Sequence, residues 1–226
     1  GTGNGTVSIT ILCTALSTTV SSSIVCVGEE VVLHAESTGT GTISWSGGIT
    51  DSVAFTPSVG TTTYTATSTD GDDCGFSIDI FVGEFPTVDA GTDVSICEGD
   101  SVNLTGTGTA NVWNWSGGVI DGDWFTPPAG TTTYTLTGEV DSTGCQTTDD
   151  VNVAYNVINP TVSISGATLT ANQSGATYQW IDCADSSNVT GATSQNFTPQ
   201  QDGDYAVIIN LGGCSDTSAC ETVAGV

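Results

Sequence analysis

Cys26-Val-Gly-Glu-Glu-Val-Val-Leu33 is followed, about 70 residues on, by Cys97-Glu-Gly-Asp-Ser-Val-Asn-Leu104, and this echo decides the fold. Each stretch heads a parallel series of motifs. Ser44-Trp45-Ser46-Gly47-Gly48 matches Asn114-Trp115-Ser116-Gly117-Gly118, and Phe55-Thr56-Pro57 matches Phe125-Thr126-Pro127. Gly60-Thr-Thr-Thr-Tyr64-Thr65 matches Gly130-Thr-Thr-Thr-Tyr134-Thr135, and Cys74 matches Cys145. A third, diverged copy keeps Tyr178-Gln179-Trp180, Phe197-Thr198-Pro199, Gly203-Asp204-Tyr205 and Gly212-Gly213-Cys214. The copies open at Thr19-Val20, at Pro86-Thr87-Val88 and at Pro160-Thr161-Val162. Three domains are therefore expected, at residues 18–84, 85–157 and 158–226, behind an N-terminal segment of residues 1–17.

Within a copy the pattern alternates with a period of two and never with a helical period, and Gly, Pro, Asp and Ser mark the turns. Val31, Leu33 and Ala35 fall on one face of a strand, as do Val102 and Leu104. A strand bearing Trp45, Trp115 or Trp180 follows, then the Phe-Thr-Pro strand, then a Thr-rich strand with its Tyr, a hairpin and a last strand. About seven short strands at this spacing give an all-β chain of three tandem immunoglobulin-like β-sandwiches, set head to tail as a rod. Val7-Ser-Ile-Thr-Ile-Leu12 alternates like a last strand but precedes the first copy. A lone strand cannot bury its apolar face, so residues 1–17 are expected to complete a preceding domain or to add to a neighbouring subunit.

The 226 residues include 25 Asp or Glu, one His and no Lys or Arg, a formal charge of −25. Phosphate neutralisation needs cationic side chains, so nucleic acid is excluded as a partner. Insertion into membranes is not expected either, since no long apolar run is present. Eight Cys, no Met and no C-x-x-C pair read as a disulfide framework in an extracellular compartment rather than as a zinc site.

The succession I-C-x-G-x-x-V-x-L, W-S-G-G, F-x-P, G-T-T-T-Y-T and G-C resembles the PKD/immunoglobulin-like repeats of giant surface adhesins in Bacteroidota. Those repeats occur in gliding-motility adhesins and other proteins exported by the type IX system. The third copy resembles a related module of the same proteins, and the resemblance spans roughly residues 20–226. It implies a non-enzymatic structural or adhesive role, cell adhesion at the surface or in an extracellular filament. Neighbouring repeats or identical subunits would be the partners. The alternative is a carbohydrate- or surface-binding accessory module of a secreted protein.

The candidate sites are few. His34 is the one imidazole and is expected to point outward from its strand, beside inward Leu33. No cofactor and no catalytic residue is expected. Asp70-Gly-Asp72-Asp73 and Asp121-Gly-Asp123 carry the hard oxygens calcium prefers, but they lack EF-hand spacing, and Asp-Gly is a hairpin signal, so they read as turns. Trp113 and Trp124 have no counterpart in the first copy; half-buried edge packing is the expectation for Trp124, and an exposed ligand platform at Trp113 and Trp124 is the competing reading. Ser52, Ser101 and Ser142 each follow an Asp and resemble sites of bacterial O-glycosylation.

Sandwich topology bears on the cysteines. Cys26 and Cys97 lie in the turn after the first strand, whereas Cys74, Cys145 and Cys214 lie in the last hairpin, at the opposite pole. A strand of about seven residues, roughly 23 Å, separates the poles. A disulfide needs Cα atoms within about 7 Å. The pairing expected is therefore Cys26–Cys145 and Cys97–Cys214 between successive copies, Cys13–Cys74 at the start and Cys183–Cys220 within the third copy.

Overall fold

The computed structural model describes residues 7–10, 16–37, 41–69 and 75–226. Two compact units form, one of Gly1–Val88, Gly108–Trp113 and Thr137–Thr148, the other of Asp89–Thr107, Asn114–Leu136 and Asp149–Val226. Strands and turns make up both. The described helices are two single 3-10 turns, at Ser46–Gly48 and Ser116–Gly118.

In the first unit one sheet runs Val7–Thr10, Leu16–Val20, Leu33–Ser37, and the other runs Ile24–Cys26, Gly75–Gly83, Gly60–Ser68, Ile43–Trp45. Val20, Leu33 and Ala35 from the first, with Val31 just before its last strand, share one core with Val25, Trp45, Tyr64, Ala66, Ile78, Ile80 and Val82. The alternation of Val31, Leu33 and Ala35 is thus a buried face, with 0%, 1% and 3% exposure. Ile24–Cys26 runs parallel to the last strand, with Cys26 opposite Gly83, while the other partners of that sheet are antiparallel. Two packed sheets sharing one core make an immunoglobulin-like sandwich.

Val7–Thr10 pairs antiparallel with Leu16–Val20 of its own chain, Val7 opposite Val20 and Thr10 opposite Ser17. Its backbone finds partners on the neighbouring strand edge, and a short connection closes at little entropic cost.

In the second unit the third copy repeats the plan. Val162–Ser165, Thr168–Ala171 and Asn196–Phe197 form one sheet; Ser187–Asn188, Thr177–Asp182, Gly203–Leu211 and Cys214–Thr217 form the other, with Glu221–Val223 also on Gly203–Leu211. Leu169, Ala171, Trp180, Tyr205, Val207, Ile209 and Val223 fill its core. From the middle copy, Val94–Cys97 runs parallel to Val153–Asn156, and Val102 pairs with Phe125.

The recurring motifs are residues that meet in space. Gly47 and Gly48 (φ 75° and 72°), like Gly117 and Gly118 (φ 70° and 75°), adopt left-handed conformations that a side chain would strain. The turn they make places Ser46 Oγ to accept from Thr65 N at 2.9 Å, and Ser116 Oγ from Thr135 N at 2.9 Å. Tyr64 meets Phe55 edge to face at 5.1 Å, and Tyr134 meets Phe125 at 5.2 Å. In the third copy Phe197 lies between Trp180 and Tyr205, at 5.3 Å from each. Such ring pairs add about 0.5–1.5 kcal/mol to their burial.

Candidate functional site

The chemistry of this chain is concentrated where one copy meets the next in the covalent structure. Cys26 is bonded to Cys145 with Cα atoms 5.7 Å apart, Cys97 to Cys214 at 5.5 Å, and Cys183 to Cys220 at 6.3 Å. Cys13 and Cys74 lie outside the described residues. Cys26 and Cys97 each close a parallel strand pair, and the next turn holds them: Glu29 Oε2 accepts from Cys26 N at 2.9 Å, and Asp100 Oδ2 from Cys97 N at 3.2 Å.

Beside each bridge the backbone passes close to a hairpin. A Cβ on Gly83, the partner of Cys26, would stand 2.7 Å from Thr143 Cγ2. A Cβ on Gly212 would stand 2.5 Å from Asn156 Cγ, and Asn156 is the partner of Cys97. Asn156 cannot swing away freely, because its Nδ2 donates to Ser95 Oγ at 2.9 Å and to Ile96 O at 3.1 Å. Ser95 Oγ in turn donates to Gly212 O at 2.6 Å. In each case a glycine makes room for the residue opposite it.

The core tryptophans are pinned by carboxylates, a role that sequence reading did not assign to them. Trp45 Nε1 donates to Asp51 Oδ1 at 2.9 Å, and Trp115 Nε1 to Asp121 Oδ1 at 2.8 Å. The same oxygens accept from Ala35 N at 2.8 Å and from Gly106 N at 2.7 Å. The signal was present, since both copies place an Asp six residues after the Trp. Trp180 instead donates to Ser194 O at 2.9 Å. Asp121, a candidate calcium ligand, is thus engaged by the fold; Asp123 is exposed, and Asp70, Asp72 and Asp73 lie outside the described residues.

His34 is only half-buried, yet it is held on both sides. Nδ1 lies 2.9 Å from Asp51 Oδ2 and 2.7 Å from Ser52 Oγ, and Nε2 lies 3.1 Å from Glu36 Oε1. The Glu36 and Asp51 hydrogen bonds raise its pKa above the ordinary imidazole value, against a smaller cost of burial. At Asp51 burial disfavours the charge most, but donors from Trp45, Ala35, His34 and Ser52 together bring the carboxyl below its ordinary range. Ser52, at φ 60°, donates to Asp51 Oδ2 at 2.9 Å. Ser101 is exposed, its Oγ 3.2 Å from Thr126 Oγ1, and Ser142 is exposed in the hairpin before Cys145.

The two candidate platform tryptophans part company. Trp113 is half-buried, its ring so close over Gly138 that a Cβ there would stand 2.9 Å from Cζ3. Trp124 is 70% exposed, which corrects the expectation of edge packing. Its strand is two residues long, and while Phe125 turns inward, Trp124 has only Asn103 opposite it.

No family model matches the chain, and no curated protein sequence matches it. Among solved structures, immunoglobulin domains 1–4 of Sidekick-1 align at 13% identity and a TM-score of 0.39, over 88% of this chain and 73% of that one. Immunoglobulin domains 1–5 of Sidekick-1 align at 13% identity and a TM-score of 0.33, over 86% of this chain and 55% of that one.

Proposed function

We propose that this chain is a non-enzymatic, load-bearing module of an extracellular surface adhesin or filament, of the kind its motifs resemble in Bacteroidota. The observation that carries the proposal is the pair of bridges Cys26–Cys145 and Cys97–Cys214, which tie each copy covalently to the next. Ties of this kind resist pulling and proteolysis rather than shaping a cleft. All six described cysteines are disulfide-bonded, which fits an oxidising exterior. With no Lys or Arg, trypsin-like proteases have no cleavage site. A charge of −25 keeps neighbouring chains apart except through counterions.

Proteinase K, which does not need basic residues, tests the proposal. The oxidised chain should stay intact under conditions that degrade a Cys97→Ser/Cys214→Ser double variant. The loss is of the size expected for a native disulfide, about 2–5 kcal/mol. Equal survival of the two proteins would remove the mechanical role from the bridges.

A further inference from the structure

We infer that the outer face around Trp124 is a binding platform for neutral carbohydrate. The three copies themselves provide the control. The residue before the inward Phe is Ala54 in the first copy, Trp124 in the second and Asn196 in the third, and all three are exposed. The sandwich is also built with a methyl group or an amide there, so the fold does not require an indole at this place. An indole 70% exposed to water is a feature of the surface, not of the fold.

Its surroundings define the ligand. Asn103 stands directly opposite Trp124 across the strand pair. By strand alternation Ser101 and Thr126 share that outward face, their hydroxyls 3.2 Å apart. Ile120, 66% exposed, precedes the turn that leads into Trp124. One flat aromatic ring is thus flanked by an amide and hydroxyls that both donate and accept, with no charge at the paired positions. A pyranose matches this: its axial C–H face lies on an aromatic ring, and its hydroxyl rim exchanges hydrogen bonds with neutral side chains.

Other occupants fit less well. Anionic glycans would meet a chain of −25 charge without a single Lys or Arg to receive them. A second copy would bring the same charge. A cationic peptide would be drawn by the net charge and by exposed Asp123, next to Trp124 in the chain, and such binding would be lost in salt. A shallow, one-ring platform binds weakly, with Kd on the order of 1 mM per site, and gains strength by repetition along a polymer.

The test uses the full oxidised chain, titrated calorimetrically with cellohexaose, xylohexaose, mannohexaose and chitohexaose at 50 and 500 mM NaCl. At least one should bind, with little dependence on salt. Trp124→Ala should weaken it at least tenfold, Trp124→Phe less, and Asn103→Ala several-fold, while Tm stays within about 1 °C, because the first copy already carries Ala at this position. Binding of none of the four, binding retained in Trp124→Ala, or binding abolished by salt would each overturn the inference. So would a change of oligomeric state in Trp124→Ala, seen by sedimentation, since the ring would then serve contact between copies.

Discussion

Pulling the oxidised chain from its two ends should give an extension set by its bridges rather than its length. From Gly1 to Cys26 is about 25 residues; the bridge leads to Cys145, about 38 residues reach Cys183, and its bridge leads to Cys220, about 6 from the end. The unfolded molecule then spans roughly 69 residues, ~240 Å at about 3.5 Å each, against ~790 Å for all 226 residues after reduction. A Cys13–Cys74 bridge would open a still shorter path through Cys97–Cys214, roughly 47 residues or ~165 Å. Optical-tweezers extension with handles at both termini, before and after reductant, resolves these lengths. Bridges confined within each copy, Cys26–Cys74 and Cys97–Cys145, would leave roughly 92 residues or ~320 Å. A contour near that value, or no change on reduction, would exclude bridges between successive copies.

Further outcomes are expected. Asp121→Ala leaves Trp115 Nε1 and Gly106 N without their shared acceptor and should cost about 2–3 kcal/mol in urea unfolding, with Asp51→Ala acting alike on Trp45 and Ala35. Because folding raises the His34 pKa, its contribution is complete below the unfolded value of about 6.5 and is lost as pH rises through the folded value. Stability should therefore fall slightly above pH 6.5, and His34→Gln should flatten the slope in chemical denaturation. Asp51 has the opposite sign, its contribution disappearing as pH drops below the ordinary carboxylate range. Gly212→Ala, at φ 58° and against Asn156, should lower stability by roughly 1–3 kcal/mol, whereas Ala at Gly175, which has open space, should cost only the backbone strain.

The all-β class and its inward faces were legible because a period of two needs no partner to be seen: Val31, Leu33 and Ala35 carry their orientation in their spacing. Trp45, Trp115 and Trp180 recur at one place in each copy, and all three are buried. What stands over an outward residue is set by other strands, and spacing is silent about it. His34 was placed on the correct face, but Asp51 and Glu36 reach it from 17 positions along the chain and from two, distances that only folding relates. Trp124 was misjudged because large apolar side chains are usually covered, a statistical preference that does not fix any single residue. The reach from Trp45 to Asp51 depends on the tight turn of Gly47 and Gly48, whose left-handed geometry no hydrophobic pattern encodes. That Val7–Thr10 pairs with Leu16–Val20 was not legible, because alternation marks a strand without naming its partner.

The glycines beside the two bridges also constrain how such chains can change. At the first, the strand end is small and the hairpin bulky, Gly83 under Thr143; at the second the sizes are exchanged, Asn156 under Gly212. A strand end carrying Asn could not receive a hairpin carrying Thr. Recombination that set the Asn156 strand end against the Thr143 hairpin would put two side chains where each seam now holds one, so those two halves do not combine freely. Tandem duplication of the middle copy alone would create that pairing, Asn156 against Thr143, and one of the two residues would have to become smaller.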